Sequence, residues 1–249
     1  MTLQARDMSI RMGAFQLGPV SVAFEPGRIH GVVGPNASGK TTLVRGLCGL
    51  QTIQSGAITL AGVPVHAMAA AERAARIAFV PQRPVMPPAL RVGEVVALGR
   101  LRMQRDPRAV ERSLRQVGLL EREMDRVDAL SAGQSHRVAV ARMLAQLAPT
   151  TQLVVLDEPT ASLDPAWSAS VARVARACAD RGCVVIVATH DFGFLGACCD
   201  QAILMAEGTV RALGPVATVA NPETLSALFG APFAWAHGIA AQPVAMPRW

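Results

Sequence analysis

Tyrosine is absent from these 249 residues, aromatic side chains make up only 4%, and Lys40 is the only lysine among 24 basic residues. So few rings argue against a groove for single-stranded nucleic acid, which interleaves stacking aromatics with its cations. Arg100, Arg102, Arg105, Arg108, Arg112 and Arg115 instead recur at helix-like intervals with Asp and Glu between them, the pattern of a solvated helical face. No C-x-x-C pair occurs, the five cysteines are an odd number, and Cys198 and Cys199 are adjacent. That excludes a zinc ribbon, thioredoxin-type chemistry and a disulfide framework, and leaves the thiols as small, reduced apolar residues. No continuous apolar run reaches the roughly 18 residues a membrane-spanning helix needs. A long stretch without Asp, Glu, Lys or Arg, residues 224–247, is broken by Gly230, Pro232, His237, Gly238 and Pro243 and is expected to be packed irregular chain. Arg6, Asp7 and Arg11 stand where an export signal needs an apolar stretch, so export is not indicated.

What is present is apolar: 51% of residues are hydrophobic, 17% are charged and the mean hydropathy is +0.32. Such a chain collapses around a sizeable core. The net charge of +6 and pI near 9.9 suit a solvated surface or contact with anionic headgroups.

Residues 28–33 read as a buried strand broken at Gly34, and residues 40–50 then place Leu43, Leu47 and Leu50 on one helical face. Short strands are expected at 57–60 and 78–80, beside the turn signals Gly62, Pro64 and Pro81. Residues 83–150 are helical in pattern, 153–156 and 184–188 are runs typical of strands covered on both faces, and 202–212 suggest a hairpin around Glu207-Gly208. The organisation is one doubly wound α/β core with residues 83–150 as a helical subdomain.

Gly34-Pro35-Asn36-Ala37-Ser38-Gly39-Lys40-Thr41 fits G-x-x-x-x-G-K-[ST], with a strand before it and a helix after. In that context backbone N–H groups converge on a phosphate at the positive end of a helix dipole. Lys40 supplies a point charge for the outer phosphates, and the Thr41 hydroxyl can ligate Mg²⁺. The strand at 153–156 ends in Asp157-Glu158: the first carboxylate suits a Mg²⁺ partner and the second a general base for water attacking a γ-phosphate. The alternative for Glu158 is a helix N-terminal charge before Pro159. His190 follows the strand at 184–188 directly. All three features fall at carboxyl ends of expected parallel strands, the edge where open α/β sheets bind ligands.

With Leu130-Ser131-Ala132-Gly133-Gln134 added, the sequence resembles the ATP-binding cassette (ABC) transporter ATPases, whose signature is usually L-S-G-G-Q. The likeness covers nearly the whole chain in order. It implies a P-loop NTPase (RecA-like) core with an antiparallel β subdomain and an inserted α-helical subdomain. The core would be residues 1–82 and 151–230, the helical subdomain 83–150, and the C-terminal tail 231–249. It implies ATP and Mg²⁺, with Gly34 to Thr42 and Gln82 on the nucleotide, and Thr41, Gln82 and Asp157 on the metal. Glu158 and His190 would carry catalysis. Ser131, Ala132, Gly133 and Gln134 would contact ATP held by a second subunit, and Asp164, in Ser162-Leu163-Asp164, would cross the homodimer.

There are departures. Ala132 replaces a signature glycine, which is tolerable unless φ must be positive. Ser135-His136-Arg137 is unusual after the signature. Where an aromatic residue normally stacks on adenine, this chain has Met12, with Phe15 nearby; either a thioether or a displaced ring holds the base, or both residues belong to the core.

The segments 76–82, 92–100, 141–146 and 225–230 are similar to importers of iron siderophores, haem and cobalamin. That implies an ATPase on the cytoplasmic face of the bacterial inner membrane. It would work with an integral membrane permease and, indirectly, a substrate-binding protein. Importers of other metals or small solutes are the alternative cargo class. Soluble ABC ATPases acting on DNA or ribosomes are the rival function. The short stretch between Gln82 and Leu130, without heptads or cysteines, and the single set of motifs speak against them, and no nucleic-acid partner is expected.

Overall fold

The computed structural model describes residues 2–101, 103, 106–160, 165–236 and 244–247. In chain order come β1 (Leu3–Met12), β2 (Phe15–Phe24), β3 (Ile29–Val33), α1 (Lys40–Leu47), β4 (Ser55–Leu60), β5 (Val63–Pro64), α2 (Ala70–Arg76) and β6 (Ile77–Val80). Helices α3 (Val92–Ala97), α4 (Pro107–Gln116) and α5 (Ala132–Gln146) follow. The chain then runs through β7 (Leu153–Asp157), α6 (Pro165–Asp180), β8 (Val184–Thr189), α7 (Phe192–Cys198), β9 (Gln201–Ala206) and β10 (Thr209–Pro215). It ends with α8 (Val216–Val219), α9 (Pro222–Phe229), β11 (Phe233–Ala236) and β12 (Val244–Pro247).

The main sheet has the order β10-β9-β3-β8-β7-β6. Strands β9, β3, β8, β7 and β6 are parallel, and β10 is an antiparallel edge. β3, β7 and β8 are buried at every position. Their side chains alternate between two cores, as a period of two requires. Val154, Leu156, Val185 and Val187 face the helices α3 to α7, whereas Leu153, Val155, Val184, Ile186 and Ala188 face α1 and the second sheet. That second sheet, β2-β1-β4-β5, is wholly antiparallel. The α/β core, the antiparallel sheet and the helical insertion between β6 and β7 are the architecture the sequence implied.

Two expectations need correction. Helix α1 stops at Leu47 rather than running to residue 50: Gly49 adopts φ +66° and its N–H turns back to Gly46 O at 2.8 Å, leaving Leu50 exposed. Residues 224–247 are not irregular throughout. Asn221 caps α9 by accepting from Thr224 N–H at 2.9 Å, Pro222 opens it and Gly230, at φ +64°, closes it. The hairpin β11–β12 then brings Phe233 against Phe192 and Phe229, with ring centroids 5.0 and 5.7 Å away. These caps and rings order a segment that composition alone made look loose. The five cysteines are all free and buried.

Candidate nucleotide site

Register puts the ends of four strands on one edge: Val33 pairs with Thr189, Ala188 with Asp157, and Leu156 with Val80. The loops leaving that edge carry the P-loop, Glu158, His190 and Gln82.

The P-loop is built around two glycines. A Cβ on Gly34 would run into the carbonyl of Met205 and lie 2.6 Å from Ser38 Oγ. Gly39 adopts φ +103°, and a Cβ there would meet the Phe15 ring at 3.0 Å. Ala37 also takes a left-handed conformation, φ +62°, which the sequence did not signal. Lys40 opens α1, whose first-turn N–H groups face the loop. Its Nζ donates to Gly34 O at 2.8 Å and Pro35 O at 3.1 Å, and sits 3.8 Å from Glu158 Oε1. Burial pulls the Lys40 pKa down, against the opposing pull of Glu158 and Asp157. The ammonium is thus desolvated and held by weak acceptors, ready for a stronger anion.

Asp157 is fully buried. Thr41 Oγ1 donates to its Oδ1 at 3.2 Å, and its Oδ2 has no hydrogen-bond partner among the described residues. Burial pushes its pKa up, the Thr41 bond opposing. Ser38 Oγ is likewise buried and unpartnered. Orphaned hard oxygens beside a P-loop hydroxyl are the donor set that Mg²⁺ prefers, so the residues fit that ion.

Glu158 leaves the strand at φ +53°, with its N–H donating to Ala188 O at 2.8 Å. Its buried carboxylate lies 2.6 Å from His190 Nδ1, and the half-exposed imidazole opens toward solvent. The turn holding His190 is fixed from behind. Asp191 N–H donates to Thr189 Oγ1 at 3.0 Å, and Asp191 Oδ1 accepts from Phe194 N–H at 2.9 Å, capping α7.

Beside these groups opens a cleft of about 400 Å³; Asp157 and His190 do not line it themselves but reach it through Thr41 and Glu158. Residues 36–42, Gln82 and Glu158 line it, as do Met12 and Phe15, which face each other across the β1–β2 hairpin. Met12 is 46% exposed and its Sδ lies 3.8 Å from Thr42 Oγ1, so it sits at the rim of the cleft rather than in the core.

The signature residues do not join this cleft. Ser131 caps α5 in a reciprocal box: Gln134 N–H donates to Ser131 Oγ at 3.2 Å, and Ser131 N–H to Gln134 Oε1 at 3.0 Å. Ser131 and Ala132 are exposed, and none of Ser131, Ala132, Gly133 and Gln134 lines the cleft. Ala132 is in ordinary helical conformation, so its methyl is accommodated. Ser162, Leu163 and Asp164 lie outside the described residues.

A strand-fed P-loop over paired carboxylates defines a nucleoside-triphosphate-binding protein. Residues 17–161 match the ABC transporter family. The chain is 39% identical over 235 residues to the hemin import ATP-binding protein HmuV of Pseudomonas fluorescens (strain Pf0-1), covering 92% of each. It is 36% identical over 239 residues to the cobalamin import ATP-binding protein BtuD of Halobacterium salinarum, covering 93% of this chain and 59% of that one. A metal-chelate type ABC transporter solved in an inward-facing conformation matches at TM-score 0.80 and 24% identity, over 100% of this chain and 97% of that one. A dimeric ATP-binding cassette bound to ADP and phosphate matches at 0.77 and 22%, over 86% and 98%. The chain belongs to the ABC transporter family, as its ATP-binding, ATP-hydrolysing subunit.

Proposed function

We propose that this ATPase energises import of an iron chelate, haem or cobalamin through a separate membrane permease, on the cytoplasmic face of the membrane. The observation that carries the import reading is the identity of 36–39% across at least 92% of this chain to hemin and cobalamin import subunits. In the described residues no helix is long and apolar enough to cross a membrane, which leaves the membrane path to another chain. We assign the nucleotide-binding core to residues 1–82 and 151–230, the helical subdomain to 83–150 and the tail to 231–249.

In the mechanism, Gly34 to Thr42 cradle the triphosphate and Lys40 transfers its bonds from Gly34 O and Pro35 O to the outer phosphates. Thr41, Asp157 and Gln82 would hold Mg²⁺, which when bound neutralises phosphate charge. Glu158 takes a proton from water. His190 orients that carboxylate through Nδ1 and presents its other ring nitrogen to the γ-phosphate. Met12 and Phe15 flank the base. The exposed signature turn lies off its own cleft, so it serves ATP bound by a second copy. Two copies close head to tail over two ATP, with Asp164 crossing between them, and reopen after hydrolysis. Closure moves the permease docked beside Gln82 and the helical subdomain, and a substrate-binding protein acts one step further out.

The test is purification of tagged Glu158→Gln protein with Mg-ATP from detergent-solubilised membranes of the native host. A polytopic chelate-import permease recovered near one-to-one supports the proposal. A permease of another solute class corrects the cargo, and recovery only with ribosomes or DNA overturns import.

A further inference from the structure

Trp167 lies in the first turn of α6, is 3% exposed, and donates its indole N–H to the carbonyl of Pro159 at 3.0 Å. Pro159 follows Glu158, whose φ of +53° is disfavoured for any residue with a Cβ. The indole therefore braces the loop that carries the proposed base at its least comfortable point. The guanidinium of Arg137 lies over the same ring, 4.9 Å from its centroid. Arg137 stands three residues beyond Gln134 on α5, the helix whose first turn is the signature. Helix α5 packs on α3 and α4 and also on the core strand β6, whereas α6 packs on β3, β8 and α7. The Arg137–Trp167 contact thus adds to the α5–β6 packing a link from the signature helix to α6 and the loop after Glu158.

We propose that Arg137 and Trp167 are positioning residues that couple the signature turn to the Glu158 loop, and so couple two ATP sites through one subunit. The second half rests on the head-to-tail dimer above. There the signature of a subunit grips one ATP while its Glu158 serves the other. A shift of α5 on closure moves the guanidinium across the indole. The indole cannot follow without straining its bond to Pro159, so the shift reaches Glu158. Trp167 is buried and does not line the cleft; it acts through Pro159.

The test uses the full chain, with ATPase rate measured against ATP concentration. Wild type should show a Hill coefficient above 1. Trp167→Phe keeps a ring but loses the N–H donor, and should lower kcat about tenfold with KM within about twofold. Arg137→Ala, at a less buried position, should lower kcat several-fold, and Arg137→Lys should recover most of the loss. Both Trp167→Phe and Arg137→Ala should bring the Hill coefficient toward 1. The double variant should be about as slow as Trp167→Phe alone, because the two act in series. Lower thermal stability with unchanged kcat and Hill coefficient overturns the proposal, as do losses that multiply in the double variant. Failure of Glu158→Gln protein to dimerise with ATP in size-exclusion chromatography overturns the dimer reading, and with it the coupling between sites.

Discussion

Asp157→Asn should make the nucleotide-free protein more stable while removing its response to Mg-ATP. Asp157 is fully buried at the end of β7, and among the described residues only one of its oxygens is hydrogen-bonded, to Thr41. A buried acceptor without a partner costs about 1–3 kcal/mol, and more when it is charged. Asparagine keeps the shape and the acceptor for Thr41 Oγ1 and exchanges an orphaned charge for an orphaned neutral amide, so only the excess cost of the charge, about 2 kcal/mol, should return. For a chain of this size each kcal/mol moves Tm by about 2–4 °C, an expected rise of about 4–8 °C. Wild type should gain about 2.7 kcal/mol from a non-hydrolysable ATP analogue with Mg²⁺ at 100 times its Kd, and the variant little of that. Scanning fluorimetry with and without ligand measures both. A nucleotide-free Tm equal to or below wild type would refute the reasoning, since the unpartnered carboxylate would then cost nothing.

Ser131→Ala deletes the cap of α5 and should cost about 1 kcal/mol; in a Glu158→Gln background it should also weaken ATP-dependent dimerisation, seen by light scattering. Buried His30 and His136 have pKa values pulled below the ordinary 6.5 by burial, with Glu25 O and Asp200 opposing at His30. The unfolded chain therefore binds more protons as pH falls below about 6.5, and stability present above that pH is lost below it. Melting curves from pH 7.5 to 5.5 should show Tm falling, and His136→Gln should flatten the fall. Met12→Trp should tighten ATP binding about threefold to tenfold by adding a stacking ring at the cleft rim; calorimetry showing no gain would remove Met12 from the base site.

Much of the site was legible because its chemistry is local in the chain. The P-loop spacing, the apolar strand ending in Asp157-Glu158, and His190 after a second such strand each carry their own signal. The central strands were equally legible, since burial on both faces leaves runs without polar interruption. Less visible were features that depend on partners remote in sequence. Neither the left-handed backbone of Ala37 and Glu158 nor the orphaned Asp157 Oδ2 has a compositional mark. The stretch 224–247 misled because the order of its described part comes from Asn221, Gly230 and rings that meet Phe192 across the fold. Trp167 had no sequence signal at all, since its acceptor is a backbone carbonyl eight residues earlier. Residue type and short spacing were enough to mark which residues could bind phosphate, carry a base and cap the signature helix. Which of them meet around the cleft and which face away from it depended on contacts between distant parts of the chain. Sheet register, not sequence distance, places Thr41, Asp157 and His190 together and leaves Ser131 outside.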